Sequence, residues 1–168
     1  SVETAYAGQR VAVNLGGLKK SDVKRGDTVA KPGSVPISRM LDVKLTNLPD
    51  SQRIITNDMQ VHLYHGSMVL LCKVVLLDRD ELQPGESGYA QLRLTENIAC
   101  KNGDRFVIRF YSPLETIGGG VILDDMPRRH KRNVPAVLEA LKIKESGSQG
   151  DQVLQLLREM ALNLPDKK

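Results

Sequence analysis

Phe106-Val107-Ile108-Arg109-Phe110 decides the fold: it sets Phe106, Ile108 and Phe110 on one face of an extended chain and Arg109 on the other, the two-residue period of a half-buried strand. Gln91-Leu92-Arg93-Leu94-Thr95 repeats that alternation. Val69-Leu70-Leu71 and Val74-Val75-Leu76-Leu77 are apolar on both faces, as in a strand covered from both sides. Working outward, strands are predicted at Arg39–Leu45, Gln60–His65, Ser67–Leu77, Ser87–Thr95, Phe106–Tyr111 and Gly120–Leu123. Turn residues separate them at Pro49-Asp50, Gln83-Pro84-Gly85 and Asn102-Gly103-Asp104. Six strands with almost no helical period between them predict an antiparallel sandwich or barrel.

The flanks read differently. Gln9-Arg10-Val11-Ala12-Val13-Asn14-Leu15 alternates with period two, so Val11, Val13 and Leu15 are expected on one face of a strand that Gly16-Gly17 ends. Thr28-Val29-Ala30 reads as a short strand before the turn at Pro32-Gly33. After Pro127 comes the basic run Arg128-Arg129-His130-Lys131-Arg132, then a helical period over Pro135–Lys142. Ser148–Asp151 resembles a helix start, and Val153, Leu154, Leu156, Leu157, Met160 and Leu164 form the apolar stripe of a second helix. Both helices are short, and their apolar faces need a partner.

Composition bounds the class. The 168 residues are 40% apolar and 26% charged, which excludes wholesale disorder and collagen-like repeats. The longest apolar stretch, Met68–Cys72, is far shorter than the ~20 residues of a membrane-spanning helix. Cys72 and Cys100 lie 28 positions apart and form neither a disulfide framework nor a zinc knuckle. No secretory signal is visible at Ser1–Ala5, so a reducing, cytoplasmic setting is expected, and the missing initiator Met points to a piece of a larger protein. Residues 1–35 carry 6 Lys/Arg against 3 Asp/Glu, residues 36–125 carry 9 against 12, and residues 126–168 carry 9 against 5. Basic flanks around an acidic middle point to a polyanion partner.

Catalytic constellations are hard to find. Gly16-Gly17-Leu18-Lys19-Lys20-Ser21 fails the spacing of a phosphate-binding loop, and Gly118-Gly119-Gly120 precedes a strand rather than a helix. His62 and His65 point to opposite faces of an extended segment, with no third metal ligand nearby. Asp78, Asp80 and Glu81 read as a solvated turn, not as an acid and base tuned apart. No enzyme is expected in this stretch. What remains suits a phosphate backbone: the run 128–132, whose cations would make affinity fall with salt or would be a solvated linker, and Gly118–Gly120, which would admit a close backbone at a strand entrance or mark a bulge.

Two stretches carry a family resemblance. Ala5–Leu15 with Val23-Lys24-Arg25-Gly26-Asp27-Thr28-Val29-Ala30-Lys31-Pro32-Gly33 is similar to the end of domain two of translational GTPases related to elongation factor Tu. Arg105–Asp124, with Tyr111-Ser112-Pro113 and Thr116-Ile117-Gly118-Gly119-Gly120 inside it, continued by Pro127–Arg132, resembles the bacterial selenocysteine-specific elongation factors. The resemblance covers about residues 1–132. It implies a mainly β chain: a six-stranded antiparallel Greek-key β-barrel of the translation-factor domain-three type over 35–125, the C-terminal strands of domain two over 1–34, and over 126–168 a basic junction and helices beginning a winged-helix domain.

The function so implied is GTP-dependent delivery of selenocysteinyl-tRNA to the ribosome at recoded UGA codons, with a messenger-RNA hairpin bound by the later domain. No cofactor is expected in these residues; GTP and Mg2+ belong to the parent's GTPase domain. By resemblance Arg10 lines the aminoacyl pocket, where a guanidinium can pair with a selenolate. His62, His65, Arg109, Gly118, Gly119 and Gly120 become tRNA-backbone contacts, and Arg128, Arg129, Lys131 and Arg132 an RNA-facing or linker run. Two alternatives are an ordinary aminoacyl-tRNA carrier, which would place asparagine at position 10, and a stand-alone barrel binding a protein through its acidic middle.

Overall fold

A computed structural model describes Val2, residues 4–147, Gly150, Asp151 and Leu157. Eight strands form: β1 (Ile37–Asn47), β2 (Ile55–Thr56), β3 (Gln60–His65), β4 (Met68–Leu76), β5 (Glu81–Leu82), β6 (Ser87–Ala99), β7 (Arg105–Tyr111) and β8 (Leu114–Asp124). The α-helix α1 (Pro135–Ser146) follows. Six strands close an antiparallel barrel in the order β1-β6-β4-β3-β7-β8, while β2 and β5 pair as a separate two-stranded sheet. In the order β6-β4-β3-β7 the chain runs β3, β4, β6 and then returns to lay β7 beside β3, which is Greek-key connectivity. All six strands expected between 36 and 125 are present, and the barrel, not the sandwich, is the form they take.

Alternation fills the interior. Leu41, Val43 and Leu45 of β1, Val61 and Leu63 of β3, Leu92 of β6 and Phe106 and Ile108 of β7 all belong to one buried cluster. Closure removes free sheet edges.

Strand β4 departs from the expectation of two-sided burial. Its outward Val69 is 43% exposed and belongs to neither buried cluster of the described residues. Its second half is covered on both sides: Val74 and Leu76 face the interior, while Val75, with Leu77 just after the strand, packs with Tyr89, Leu123 and Leu141 in a second cluster outside the barrel. Leu141, with Val137 and Leu138 beside it, comes from α1. The partner that the first helix needs is therefore the barrel wall. Lys44 Nζ meets Glu145 at 3.2 Å, and the Tyr89 hydroxyl donates to the same carboxylate.

The N-terminal strand expectations fail. Residues 9–15 and 28–30 are irregular, with Val13 67% and Val29 74% exposed. Period-two alternation makes a strand only where a neighbour takes up its hydrogen bonds, and none of the described strands does so. Local turns hold this segment instead: the Lys24 amide donates to Asp27 Oδ2 at 2.6 Å, and Gly26 takes φ 102° against Met68. Of the second helix, only Gly150, Asp151 and Leu157 are described, all helical; Val153, Leu154, Leu156, Met160 and Leu164 lie outside the described residues.

The glycine triplet lies inside β8, which begins six residues earlier than the expected strand. A Cβ at Gly118 would come within 2.5 Å of the Thr46 carbonyl, one at Gly119 within 2.6 Å of the Phe106 carbonyl, and one at Gly120 would fall on the Lys44 carbonyl. The backbones admitted so closely are the flanking strands β1 and β7. The register shift at Ile108/Arg109 makes the adjoining Ile117 the extra residue of a bulge, its side chain fully buried.

Candidate functional site

Strand register brings two candidates together. His62 of β3 lies directly opposite Arg109 of β7 on the outer face, and Leu71 of β4 flanks His62 on its other side. His62 Nδ1 and Arg109 Nε are buried without a hydrogen-bond partner. Such orphans are uncommon, because an unmet buried polar group costs ~1–3 kcal/mol. The Arg109 guanidinium also lies 5.6 Å from the Tyr64 ring centroid. His65 is apart from this pair, with Nε2 3.1 Å from Asp104 Oδ2. Arg10 is exposed on irregular backbone.

The basic run is neither free nor uniform. It lies along the barrel wall, held by residues outside the candidates named from the sequence. Gln91 of β6 alternates outward, yet it is fully buried because the run crosses it. Its Nε2 donates to Asp42 Oδ1 at 2.9 Å and to the Arg128 carbonyl at 2.8 Å. Asp42, 1% exposed, also meets His130 Nε2 at 2.8 Å. Arg132 Nε donates to the Leu76 carbonyl at 2.8 Å, and its Nη2 to the Arg79 carbonyl at 2.8 Å and to Asp80. The Asn133 amide donates to the Leu77 carbonyl at 2.8 Å. His130 and Arg132 thus latch the run to the barrel, while Arg128, Arg129 and Lys131 stay exposed. A polar residue in an alternating strand could have marked Asp42 and Gln91, had the covering segment been known.

Between the run and the barrel opens a cleft of about 600 Å³, lined by Asn57, Asp58, Arg93 and residues 129–132 with Val75. Arg93 is held below its ordinary pKa first by burial and then by the nearby charge of Arg129. The thiols do not offer a nucleophile: burial pushes Cys72 and Cys100 up to about 12. A nucleotide does not fit the N-terminal glycines, since Gly16-Gly17 leads into a three-residue 3-10 turn, Lys20–Asp22, and not into a helix N-terminus aimed at phosphate. Among the described residues no helix is long and apolar enough to cross a membrane.

Comparison with known proteins adds the following. The family profile described as "Selenocysteine-specific elongation factor, beta-barrel domain" matches residues 42–129. Among curated proteins, the selenocysteine-specific elongation factor of Desulfomicrobium baculatum is 38% identical over 133 residues, 79% of this chain and 21% of that protein. Proteins of the same description are 29% identical over 89% of the chain in Haemophilus influenzae and 29% over 98% in Escherichia coli. The chain spans about a fifth to a quarter of the length of these relatives, between 21% and 25%.

Proposed function

The chain belongs to the selenocysteine-specific elongation factor family, and on that premise we propose that it is the tRNA-binding part of a GTP-dependent factor that delivers selenocysteinyl-tRNA to the ribosome at recoded UGA codons. The observation that carries this reading is the extent of the family match. Residues 42–129 run from inside β1, through every later barrel strand, into the basic run, and so take in the barrel and the start of its junction as one unit. In this reading residues 1–34 end the preceding barrel, 35–125 form domain three, and 126–168 begin the helical array that engages a messenger-RNA hairpin. GTP and Mg2+ act in a part of the parent outside these residues, and the work is cytoplasmic.

The residues present bind and orient; none performs a covalent step. The pairing of His62 with Arg109 on the outer face supports assigning this face to the tRNA backbone, because a guanidinium there can fork onto phosphate oxygens. Gly119 lies opposite Val107, beside that pair, and keeps the surface low there. The Gly118–Gly120 segment adjoins this face, while His65, turned to the other side of β3 beside Asp104, is assigned a separate tRNA-backbone contact in this reading. Arg10 is assigned to the aminoacyl group, where its guanidinium meets the selenolate, which is ionised at neutral pH, whereas a seryl hydroxyl is neutral. A charge-assisted hydrogen bond contributes ~1.5–3 kcal/mol, so Arg10 should favour selenocysteinyl- over seryl-tRNA by roughly 10- to 100-fold.

The test is made in the full-length factor, introduced into a host lacking its own. Radioselenium should enter a UGA-containing reporter with the unsubstituted factor, and Arg10→Ala should erase the preference for selenocysteinyl-tRNA in a binding assay. A host that stays unlabelled refutes the delivery reading. An undiminished preference refutes the role of Arg10.

A further inference from the structure

The cleft between the basic run and strands β4 and β6 concentrates positive charge that carboxylates answer only in part. Several cations of the barrel and its helix have carboxylate partners, Lys44 on Glu145, Arg53 on Glu115 and Lys144 on Asp124, and at the edge of the cleft Arg132 has Asp80. Within the cleft the carboxylate of Asp58 is taken by Lys73 at 3.4 Å. Arg93 donates only to neutral acceptors, Gln91 Oε1 at 3.2 Å and the His130 carbonyl at 3.3 Å. Among the described residues no carboxylate forms an ion pair with Arg93, Arg129 or Lys131. Burial and then the charge of Arg129 weigh on the Arg93 cation, and the Asp58 carboxylate offsets them only in part, so an anion entering the cleft would offset what remains.

We propose that this cleft is a phosphodiester-binding site in which Arg93, Arg129 and Lys131 engage the backbone of an RNA. The inference rests on the RNA-carrier reading above and adds to it a site that neither the His62–Arg109 face nor Arg10 includes. Two forked guanidiniums and an ammonium around an open cavity match the tetrahedral, multiply accepting oxygens of phosphate. A protein partner is the weaker fit, because the lining has one apolar side chain, Val75, and no aromatic anchor of the kind that dominates protein interfaces. The site also adjoins the first face: Leu71 lies opposite His62 and, two residues on along β4, Lys73 lies opposite Arg93. One continuous backbone could therefore cross both.

The latch makes the site a built one. Arg132, His130 and the Asn133 amide fix the run against the barrel, so Arg129 and Lys131 line the cleft with Arg93 without ordering a loose segment at the moment of binding.

The experiment follows binding of the whole chain to a fluorescent blunt-ended RNA duplex by anisotropy between ~50 and ~200 mM salt. Arg129→Gln and Lys131→Gln, both at exposed positions, should each reduce the slope of log K against log salt by about 0.9, one phosphate contact apiece. Arg93→Gln should do the same, and Arg93→Lys, which keeps the charge, should restore most of the slope. Lys101→Gln, on a turn outside the cleft, should leave it unchanged. Wild-type slopes in Arg129→Gln and Lys131→Gln, with RNA still bound, overturn the cleft while leaving the carrier reading intact. Failure of the unsubstituted chain to bind RNA at all overturns the cleft, while the carrier reading stands or falls with the radioselenium test in the full-length factor. An equal loss in Lys101→Gln means diffuse attraction without a site, and polyglutamate displacing RNA charge for charge means an acidic protein partner; either result overturns the proposal.

Discussion

Replacing Gln91 with Leu should release the basic run from the barrel without unfolding it. Gln91 is fully buried and its side chain makes two short hydrogen bonds, 2.9 Å to the Asp42 carboxylate and 2.8 Å to the Arg128 carbonyl. It also accepts longer ones from Arg93 Nε at 3.2 Å and the His130 amide at 3.4 Å. A hydrogen bond to a charged group contributes ~1.5–3 kcal/mol and one to a carbonyl ~0.5–1.5. Leucine fills similar space with no donor, so docking of the run should weaken by about 2–4 kcal/mol. The loss has a ceiling: once the run lifts, water reaches Asp42 and its desolvation is relieved, so the penalty falls on the run and spares the barrel. The readout is hydrogen exchange of the Asn133 amide, whose acceptor is the Leu77 carbonyl. At ~1.4 kcal/mol per tenfold, its protection should fall roughly 30- to 700-fold while interior amides such as that of Val43 keep theirs. Protection of Asn133 within about threefold of the unsubstituted chain would show that the Asp42–Gln91 network does not hold the run, and the reasoning would fail.

Three further outcomes are expected. Gly120→Ala should destabilise the barrel by about 1–3 kcal/mol or more in urea unfolding, since the new Cβ falls on the Lys44 carbonyl and β1 must part from β8; Gly16→Ala, with open space around it, should be near neutral. Burial pushes the Glu145 carboxyl up, but hydrogen bonds from Tyr89 and Lys44 outweigh it and hold it below its ordinary value. Its contribution to docking α1 is therefore complete above the usual carboxylate range and is lost as pH falls through the lowered value, so amide protection in α1 should drop on acidification, and Glu145→Gln should remove that dependence. Both thiols, pushed up to about 12 and buried, should react with a thiol reagent at neutral pH no faster than the chain opens; rapid stoichiometric labelling in native buffer contradicts this.

The barrel was legible because period-two alternation is a local property, and each strand states its own inward face. What covers the outward face is not local. Val69 and Val75 read alike in the sequence, yet Val69 is 43% exposed and Val75 is 4% exposed, since α1 reaches only the second. The alternation at residues 9–15 was real but formed no strand, because pairing depends on a neighbour and not on the segment. The strands β2 and β5, two residues each, are too short to carry any period. The candidate site follows the same division. His62, Arg109 and the basic run could be named from residue type and resemblance, but the pairing of His62 with Arg109 is a matter of register. The roles of Asp42, Gln91 and Arg93 depend on a segment more than 35 positions away in the chain.

That long-range crossing also changes what the charge count means. Arg128-Arg129-His130-Lys131-Arg132 counts as four cations and a histidine, but its members do two jobs. Arg132 and His130 turn to the barrel, where Asp80 and Asp42 answer them, and their work is mechanical. Arg129 and Lys131 have no such partner among the described residues and line the cleft with Arg93. The two roles respond to different measurements. Removing Arg129 or Lys131 should change the salt slope of RNA binding and leave the exchange of Asn133 alone. Removing His130 should raise that exchange first and reach the slope only through the lost alignment of its neighbours. If His130→Ala and Arg129→Gln moved both quantities in the same proportion, the run would act as one undivided charged strip, and the division between latch and cleft would be wrong.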